Sequence, residues 1–179
     1  MHHSESHFSS LADRIENIIS QSPMQCYQCG KCSAGCPVRE YMEDSPNQVV
    51  RYVQLGLDEK VLQSSTPWLC ASCMTCSTRC PQNFEIAKFM DAVRGIQLEE
   101  GVEIDEKDSV AFHKAFLSQI RQHGRSYEIG MLVDYKLRTF NLFQDVDVAP
   151  ATFKRGKMGL LPHNTKGKDG IKKIFKKLD

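Results

Sequence analysis

The 179-residue sequence has no long apolar run, and its first residues, MHHSESHFSS, have neither the basic segment nor the apolar segment of a signal peptide. The first absence argues against a membrane span, because a helix that crosses a bilayer needs about 18 or more consecutive apolar residues. The second argues against secretion. We therefore expect a cytoplasmic protein without a membrane span, in a reducing compartment where structural disulfides are rare.

A G-x-G-x-x-G segment is also missing, so a flavin or nicotinamide site is not expected. No nucleophile or acid–base pair stands out, and we name no catalytic residue.

Basic residues do not outnumber acidic residues before residue 154, whereas residues 154–179 hold nine Lys or Arg and two Asp or Glu. No nucleic-acid recognition motif accompanies this tail, so we do not expect nucleic-acid binding. We interpret the tail as an arm that docks on an acidic partner surface, with a merely solvated tail as the alternative.

Cysteine is missing from all but two short segments, CYQCGKCSAGCP at 26–37 and CASCMTCSTRCP at 70–81, which contain all eight cysteines. The two segments share their cysteine spacing and almost none of the intervening residues. A ligand that contacts only sulfur is therefore indicated. Disulfides explain the pattern poorly, because cysteines three residues apart close no useful loop and the expected compartment is reducing.

The alternation of apolar and polar residues that is typical of β-strands is missing as well. Most segments outside the cysteine loops have helical periodicity, so we predict an all-α fold. Predicted helices begin after the N-caps Ser9 or Ser10, Ser45 and Asn83, and a short one begins at Asp58. Later helices are predicted within 105–124, 125–140 and 170–179, whereas 141–170 has no regular pattern. The predicted apolar faces contain Leu11, Ile15, Ile18 and Ile19; Val49, Val50 and Val53; Ile86, Ala87, Met90 and Val93; and Val110, Phe116, Leu117 and Ile120.

The two cysteine segments belong to matching halves. Each half has a cysteine loop, a Cys-Pro exit and a helix that ends near a glycine, and 44 positions separate Cys26 from Cys70 and Cys36 from Cys80. An internal duplication with approximate two-fold symmetry follows. We divide the chain into an N-terminal helix (1–23), a two-cluster domain (24–101), a helical extension (102–140) and an irregular basic tail (141–179).

The spacing C-x2-C-x2-C-x3-C-P is the bacterial-type iron–sulfur run, in which the fourth cysteine ligates the other cluster. Proline favours an extended backbone at the preceding residue, which turns that cysteine away from its own loop. We therefore predict two [4Fe–4S] clusters. Cys26, Cys29, Cys32 and Cys80 would ligate the first, and Cys70, Cys73, Cys76 and Cys36 the second. Zinc is one alternative, although zinc sites usually use two separated C-x2-C pairs. One dinuclear or three-iron cluster is the other.

The helical segments around the motifs favour an α-helical ferredoxin domain over the βαβ repeat of small ferredoxins. Such a domain occurs in the iron–sulfur subunits of succinate dehydrogenase and fumarate reductase, but those carry a third cysteine motif that this sequence lacks. A closer resemblance rests on the segments CYQCGKCSAGCP, SPNQVVRYVQLGL, PWLCASCMTCSTRCPQNFEIAKFMDAVR, GRSYEIGMLVDYKLRT and KRGKMGLLP. Over about residues 24–162, the sequence resembles the C subunit of soluble heterodisulfide reductase.

This resemblance implies an electron relay within a hetero-oligomer. In that family, the C subunit passes electrons between an A subunit, which contains flavin and iron–sulfur clusters, and a B subunit. The B subunit has CCG motifs and reduces the heterodisulfide of coenzymes M and B; related bacterial systems act on other disulfide or sulfur substrates. The sequence contains no CCG motif, so we expect a non-catalytic subunit. The alternatives are a free, diffusible ferredoxin or an electron-transfer subunit of another oxidoreductase.

Overall fold

The computed structural model describes residues 10–141, 159 and 161–177. Predictions for residues 1–9 and for most of 142–160, including Ser9 and much of the basic tail, lie outside this part of the chain. The chain divides into two compact units, Met1–Glu106 and Lys107–Asp179. The described residues contain helices and no strand, which confirms the predicted all-α fold. None of the helices in the described ranges is long and apolar enough to cross a membrane.

The first unit contains seven α-helices within its described residues. They are α1 (Leu11–Ile19), α2 (Lys31–Ala34), α3 (Pro46–Gln54), α4 (Asp58–Gln63), α5 (Thr66–Leu69), α6 (Thr75–Arg79) and α7 (Ile86–Glu99), with 3₁₀ turns at Pro23–Gln25 and Arg39–Tyr41. Two predicted N-caps are confirmed. Ser10 and Ser45 each form a capping box with the side chain three residues later, Asp13 and Gln48.

Helix α7 is the centre of the first unit and packs against α1, α4, α5 and α6. Its buried side chains meet those of α1 and α3 in one apolar core, in which each fully buried aliphatic or aromatic side chain contributes about 1.5–3 kcal/mol. The predicted faces of α3 and α7 are confirmed. Ile18 of α1, however, is 56% exposed. The core contains Leu11, Ile15, Cys32, Val49, Val50, Val53, Val61, Phe84, Ile86, Phe89, Met90, Ala92, Val93 and Ile96.

The predicted cap of α7 is wrong. Asn83 lies in the left-handed region with φ of 53°, and α7 begins three residues later, with Glu85 as N-cap. Side chains from other elements satisfy the first N–H groups instead. The Glu85 N–H donates to Gln21 Oε1 at 2.8 Å, and the Ala87 N–H donates to Ser77 Oγ at 3.3 Å. The α7 N-terminus is therefore fixed by α6 and by the residues after α1.

The second unit contains α8 (Lys107–His123), α9 (Glu128–Thr139) and α10 (Lys168–Lys176) among its described residues, and α8 packs against both others. The apolar face predicted for α8 is wrong in part, because Phe116 and Leu117 are exposed whereas Ala115 and Gln119 are buried. Small side chains allow close helix approach. A Cβ on Gly130 of α9 would lie 2.6 Å from Gln119 Oε1, which explains a glycine inside this helix.

Candidate iron–sulfur site

The two cysteine loops have the same backbone shape. Gln28 in the first loop and Ser72 in the second have φ of 62° and 49°, and Gly30 and Met74 have φ of 75° and 64°. Each pair is separated by the 44 positions that relate the two motifs. A short helix then follows in each half, α2 in the first and α6 in the second. The duplication predicted from cysteine spacing is therefore present in local conformation.

The first loop brings its three cysteines together with Cys80 from the end of the second motif. Burial raises the pKa of Cys26, the backbone N–H of Gln28 lowers it, and the neighbouring thiolates of Cys80 and Cys29 raise it further. Cys32 is buried and lies near Cys26 and Cys29. The sequence-predicted partner Cys80 is thus close to the first loop.

The second loop brings its three cysteines together with Cys36 from the end of the first motif. Cys36, Cys70, Cys73 and Cys76 line one cavity of about 380 Å³, part of which is open to solvent. The remaining wall is mostly apolar and consists of Pro37, Val38, Met42, Pro46, Ala71, Thr75, Ile86, Ala87 and Met90. Four soft thiol donors in an apolar cavity fit the chemistry of an iron–sulfur cluster.

The two groups of cysteines are adjacent, and equivalent elements of the two halves meet between them. Helices α2 and α6, which are equivalent in the duplication, pack against each other. The equivalent residues Gly35 and Arg79 meet there, since a Cβ on Gly35 would overlap the Arg79 side chain. The thiolate of Cys32 also contributes to the raised pKa of its equivalent Cys76, for which burial is the main cause. The last cysteine of each motif therefore lies beside the loop of the other motif.

A polar network attaches the first loop to α3. Gln54 Nε2 donates to the carbonyl oxygen of Cys26 at 2.6 Å and to that of Pro23 at 3.0 Å. Asn47 Nδ2 donates to Gln28 Oε1 at 3.1 Å. Gln28 Nε2 lies 3.4 Å from Gln54 Oε1 and 3.5 Å from Cys26 Sγ. The conformation of the loop thus depends on amide side chains that the cysteine motif does not include.

The second loop is attached to α7 in an equivalent way, but with charged groups. Ser72 Oγ donates to Asp91 Oδ1 at 3.2 Å and accepts from Arg94 at 2.9 Å, and Arg94 also pairs with Asp91. Both attachments join residues 19 positions apart, Gln28 with Asn47 and Ser72 with Asp91. Sequence reasoning missed these residues, although the 44-residue offset relates the two pairs.

The serine that follows the third cysteine of each motif holds the next long helix. Ser33 Oγ accepts the Asn47 N–H of α3 at 3.1 Å, as Ser77 Oγ accepts the Ala87 N–H of α7. Ser33 Oγ also lies 3.7 Å from Cys32 Sγ. The Cys-Ser pair repeated in both motifs was a sequence signal for this role.

The thiols differ in exposure and in electrostatic environment. Burial is the main cause that raises the pKa of Cys32 and Cys76. The hydroxyl of Thr75 lies 3.4 Å from the exposed Cys73 Sγ, and its hydrogen bond lowers the pKa of Cys73. Since a thiol binds iron as the thiolate, binding at the buried positions would release protons.

Two aromatic residues lie near the motifs in different settings. Trp68 is 5% exposed, and its Nε1 donates to Gln97 Oε1 at 2.8 Å. Tyr27 is exposed. Desolvation raises the pKa of the Tyr27 phenol, and the thiolates of Cys29, Cys80 and Cys26 raise it further. Tyr27 therefore lies beside the first group of cysteines.

Comparison with known protein families finds a match that includes both cysteine loops. Residues 23–84 match the family model described as a 4Fe-4S dicluster domain. The iron–sulfur C subunit of CoB–CoM heterodisulfide reductase from Methanopyrus kandleri is 32% identical over 95 residues, which cover 51% of this chain and 50% of that protein. The predicted resemblance to the C subunit of heterodisulfide reductase is confirmed.

Two further relatives have similar names. The iron–sulfur C subunit 2 of the enzyme from Methanocaldococcus jannaschii is 39% identical over 86 residues, or 48% of this chain and 45% of that protein. The C subunit of the ferredoxin:CoB–CoM heterodisulfide reductase from Methanosarcina acetivorans is 35% identical over 82 residues, or 46% of this chain and 33% of that protein. The chain spans half or less of the length of these three relatives. The comparisons support an iron–sulfur electron-transfer role.

Proposed function

We propose that this chain is the electron-transfer subunit of a cytoplasmic, heterodisulfide reductase-type complex. It would pass electrons between an A subunit with flavin and iron–sulfur clusters and a catalytic B subunit with CCG motifs. The names of the relatives support membership of such a complex. The substrate of the B subunit would be the disulfide of coenzymes M and B or a related sulfur compound.

The cofactors would be two [4Fe–4S] clusters, which supply one-electron transfer. We assign Cys26, Cys29, Cys32 and Cys80 to the first, and Cys70, Cys73, Cys76 and Cys36 to the second. The observation that carries this proposal is the position of Cys36. It lines the cavity of the second loop although it belongs to the first motif. Each group also contains one exposed thiol, Cys29 or Cys73, and this supports electron exchange at the surface.

Membership of a complex is favoured over a free ferredoxin by the second unit. Lys107–Asp179 contains no cysteine. Its described helices expose several large apolar side chains, among them Leu117 at 50%, Val133 at 53% and Leu137 at 61%. Exposed apolar side chains together with a basic segment are typical of a docking surface, and such a surface would serve a member of a complex rather than a diffusible carrier.

Electron delivery to the B subunit tests the proposal. Anaerobically purified holoprotein should contain about eight iron and eight sulfide per chain, from two four-iron clusters. After reduction and removal of excess reductant, the holoprotein should be reoxidised when the B subunit and the heterodisulfide are added together. The visible spectrum measures this reoxidation. The heterodisulfide alone should have no effect, because the chain would be a non-catalytic subunit.

Three results would contradict the proposal. Iron near four per chain, or stoichiometric zinc, would refute two clusters. Rapid turnover of the heterodisulfide by the chain alone would refute a non-catalytic role. Migration as a monomer in the presence of the A and B subunits, with reoxidation by unrelated acceptors only, would favour a free ferredoxin.

A further inference from the structure

The side-chain amide of Gln28 donates a hydrogen bond to a cysteine sulfur. Its Nε2 lies 3.5 Å from Cys26 Sγ, within the range of an N–H···S hydrogen bond. The same Nε2 also donates to Gln54 Oε1 at 3.4 Å. The other end of the amide is fixed too, since Gln28 Oε1 accepts from Asn47 Nδ2 at 3.1 Å. These contacts determine which end of the amide faces the sulfur.

The backbone also supports this orientation. Gln28 lies in the left-handed region with φ of 62°, a conformation that is strained for a residue with a side chain. Gln54 holds the loop through the Cys26 carbonyl oxygen at 2.6 Å. The surrounding contacts therefore maintain a conformation that the residue would not favour by itself.

The position equivalent to Gln28 in the second repeat does not donate to a cysteine sulfur among its described contacts. Ser72 occupies the position of Gln28, but its hydroxyl donates to Asp91 and accepts from Arg94. The two loops thus use equivalent positions for the same attachment to the next long helix. Of these two attached side chains, Gln28 is the one that also donates to a cysteine sulfur.

One-electron reduction of a cluster adds negative charge that is shared by its thiolate ligands. A hydrogen bond donated to such a sulfur stabilises the reduced form more than the oxidised form, and so raises the reduction potential. We propose that Gln28 is a positioning residue that acts through Cys26 to raise the reduction potential of the iron–sulfur site containing that thiolate. This inference rests on the proposed function in requiring a cluster at Cys26.

Redox titration of the full-length holoprotein, followed by EPR, tests this inference. Gln28→Met keeps the length of the side chain and removes the donor. At a fixed ambient potential near the midpoint, the reduced-to-oxidised ratio of one site should fall about tenfold, which corresponds to about 59 mV for a one-electron couple. Gln28→Glu should lower the potential further, since it retains the acceptor for Asn47 and adds a negative charge. The midpoint of the other site should not change.

Two variants separate this effect from disturbance of the loop. Gln82→Met is the matched control, because Gln82 is exposed and lies two residues after Cys80; both midpoints should remain unchanged. Gln28→Lys places a cationic donor near the sulfur and should leave the midpoint of that site at or above its original value. A midpoint lowered by Lys as much as by Met would show that loop disturbance causes the shift, and would overturn the inference.

Iron content, sulfide content and EPR spin integration are measured on each sample. Two intact clusters with an unchanged midpoint in Gln28→Met would overturn this inference and leave the proposed function intact. If Gln28→Met loses iron, the comparison of Gln28→Glu and Gln28→Lys decides, since the midpoint must fall in Gln28→Glu and must not fall in Gln28→Lys. A wild-type chain that binds no cluster would overturn both proposals.

Discussion

At the scale of single residues, Gly30 and Met74 occupy the same position in the two loops and have nearly the same φ, 75° and 64°. Glycine adopts this conformation without a steric penalty, whereas an L-residue with a side chain pays about 1–2 kcal/mol. The first loop thus shows its left-handed turn in its sequence. In the second loop the same turn could not be predicted from Met74, because methionine does not favour this conformation. Only the shared cysteine spacing indicates that the two loops have the same shape.

We predict that Gly30→Ala destabilises the protein by about 1–2 kcal/mol through backbone strain. Steric clash with other parts of the chain does not contribute, since no atom beyond the two adjacent residues lies within 4 Å of a Cβ built at this position. Urea unfolding of the anaerobic holoprotein measures the effect. Gly95→Ala is the matched control, because Gly95 is also open to an added Cβ but lies inside α7. That change should stabilise the protein by about 0.5–1 kcal/mol. Equal effects of the two substitutions would contradict the prediction.

At the scale of helices, periodicity and capping residues predicted α1, α3 and α4 well because the determining contacts are local. Ser10 and Ser45 cap helices whose apolar side chains follow directly in sequence. The start of α7 could not be predicted in this way. Its first N–H groups are satisfied by Gln21 and Ser77, which are distant in sequence. The buried face of α8 was missed for a similar reason, since its neighbours α9 and α10 determine which of its residues are covered.

Gln97 joins three helices and was not predicted from the sequence. It is fully buried in α7. Its Oε1 accepts from the Trp68 indole of α5, and its Nε2 donates at 2.9 and 3.0 Å to the carbonyl oxygens of Leu62 and Ser64 at the end of α4. A glutamine in an otherwise apolar helix face gives no indication of its partners, because these carbonyl groups become available only where α4 ends against α7.

We predict that Gln97→Leu lowers the free energy of unfolding by about 3 kcal/mol. The apolar side chain fills a similar volume but leaves the indole N–H and two carbonyl groups buried without these partners, at about 1–3 kcal/mol for each unsatisfied group. Urea unfolding of the holoprotein measures the change. Gln122→Leu on the exposed surface of α8 provides the control and should change stability by less than about 0.5 kcal/mol. A loss at Gln97 no larger than this control would show that the buried amide is dispensable.

At the scale of the whole molecule, the duplication links the fold to the candidate site. Both groups of cysteines combine one complete loop with the last cysteine of the other motif. The cysteine spacing and the Cys-Pro exits are the sequence features that predict these groups. The side chains around them could not be predicted, since Gln28, Asn47, Asp91 and Arg94 acquire their roles only when each loop packs against its following helix.

This arrangement predicts which substitutions affect the same cluster. Serine is a harder and poorer ligand for iron than cysteine, so each Cys→Ser variant should lose iron from one site or shift its potential. Cys36→Ser should perturb the same EPR signal as Cys73→Ser, although Cys36 lies in the first motif. Cys80→Ser should perturb the same signal as Cys29→Ser, although Cys80 lies in the second. Iron analysis and EPR of the reduced holoprotein test this grouping. If Cys36→Ser and Cys29→Ser affect one signal and leave the other intact, each motif holds its own cluster, and the two halves are not joined through their metal ligands.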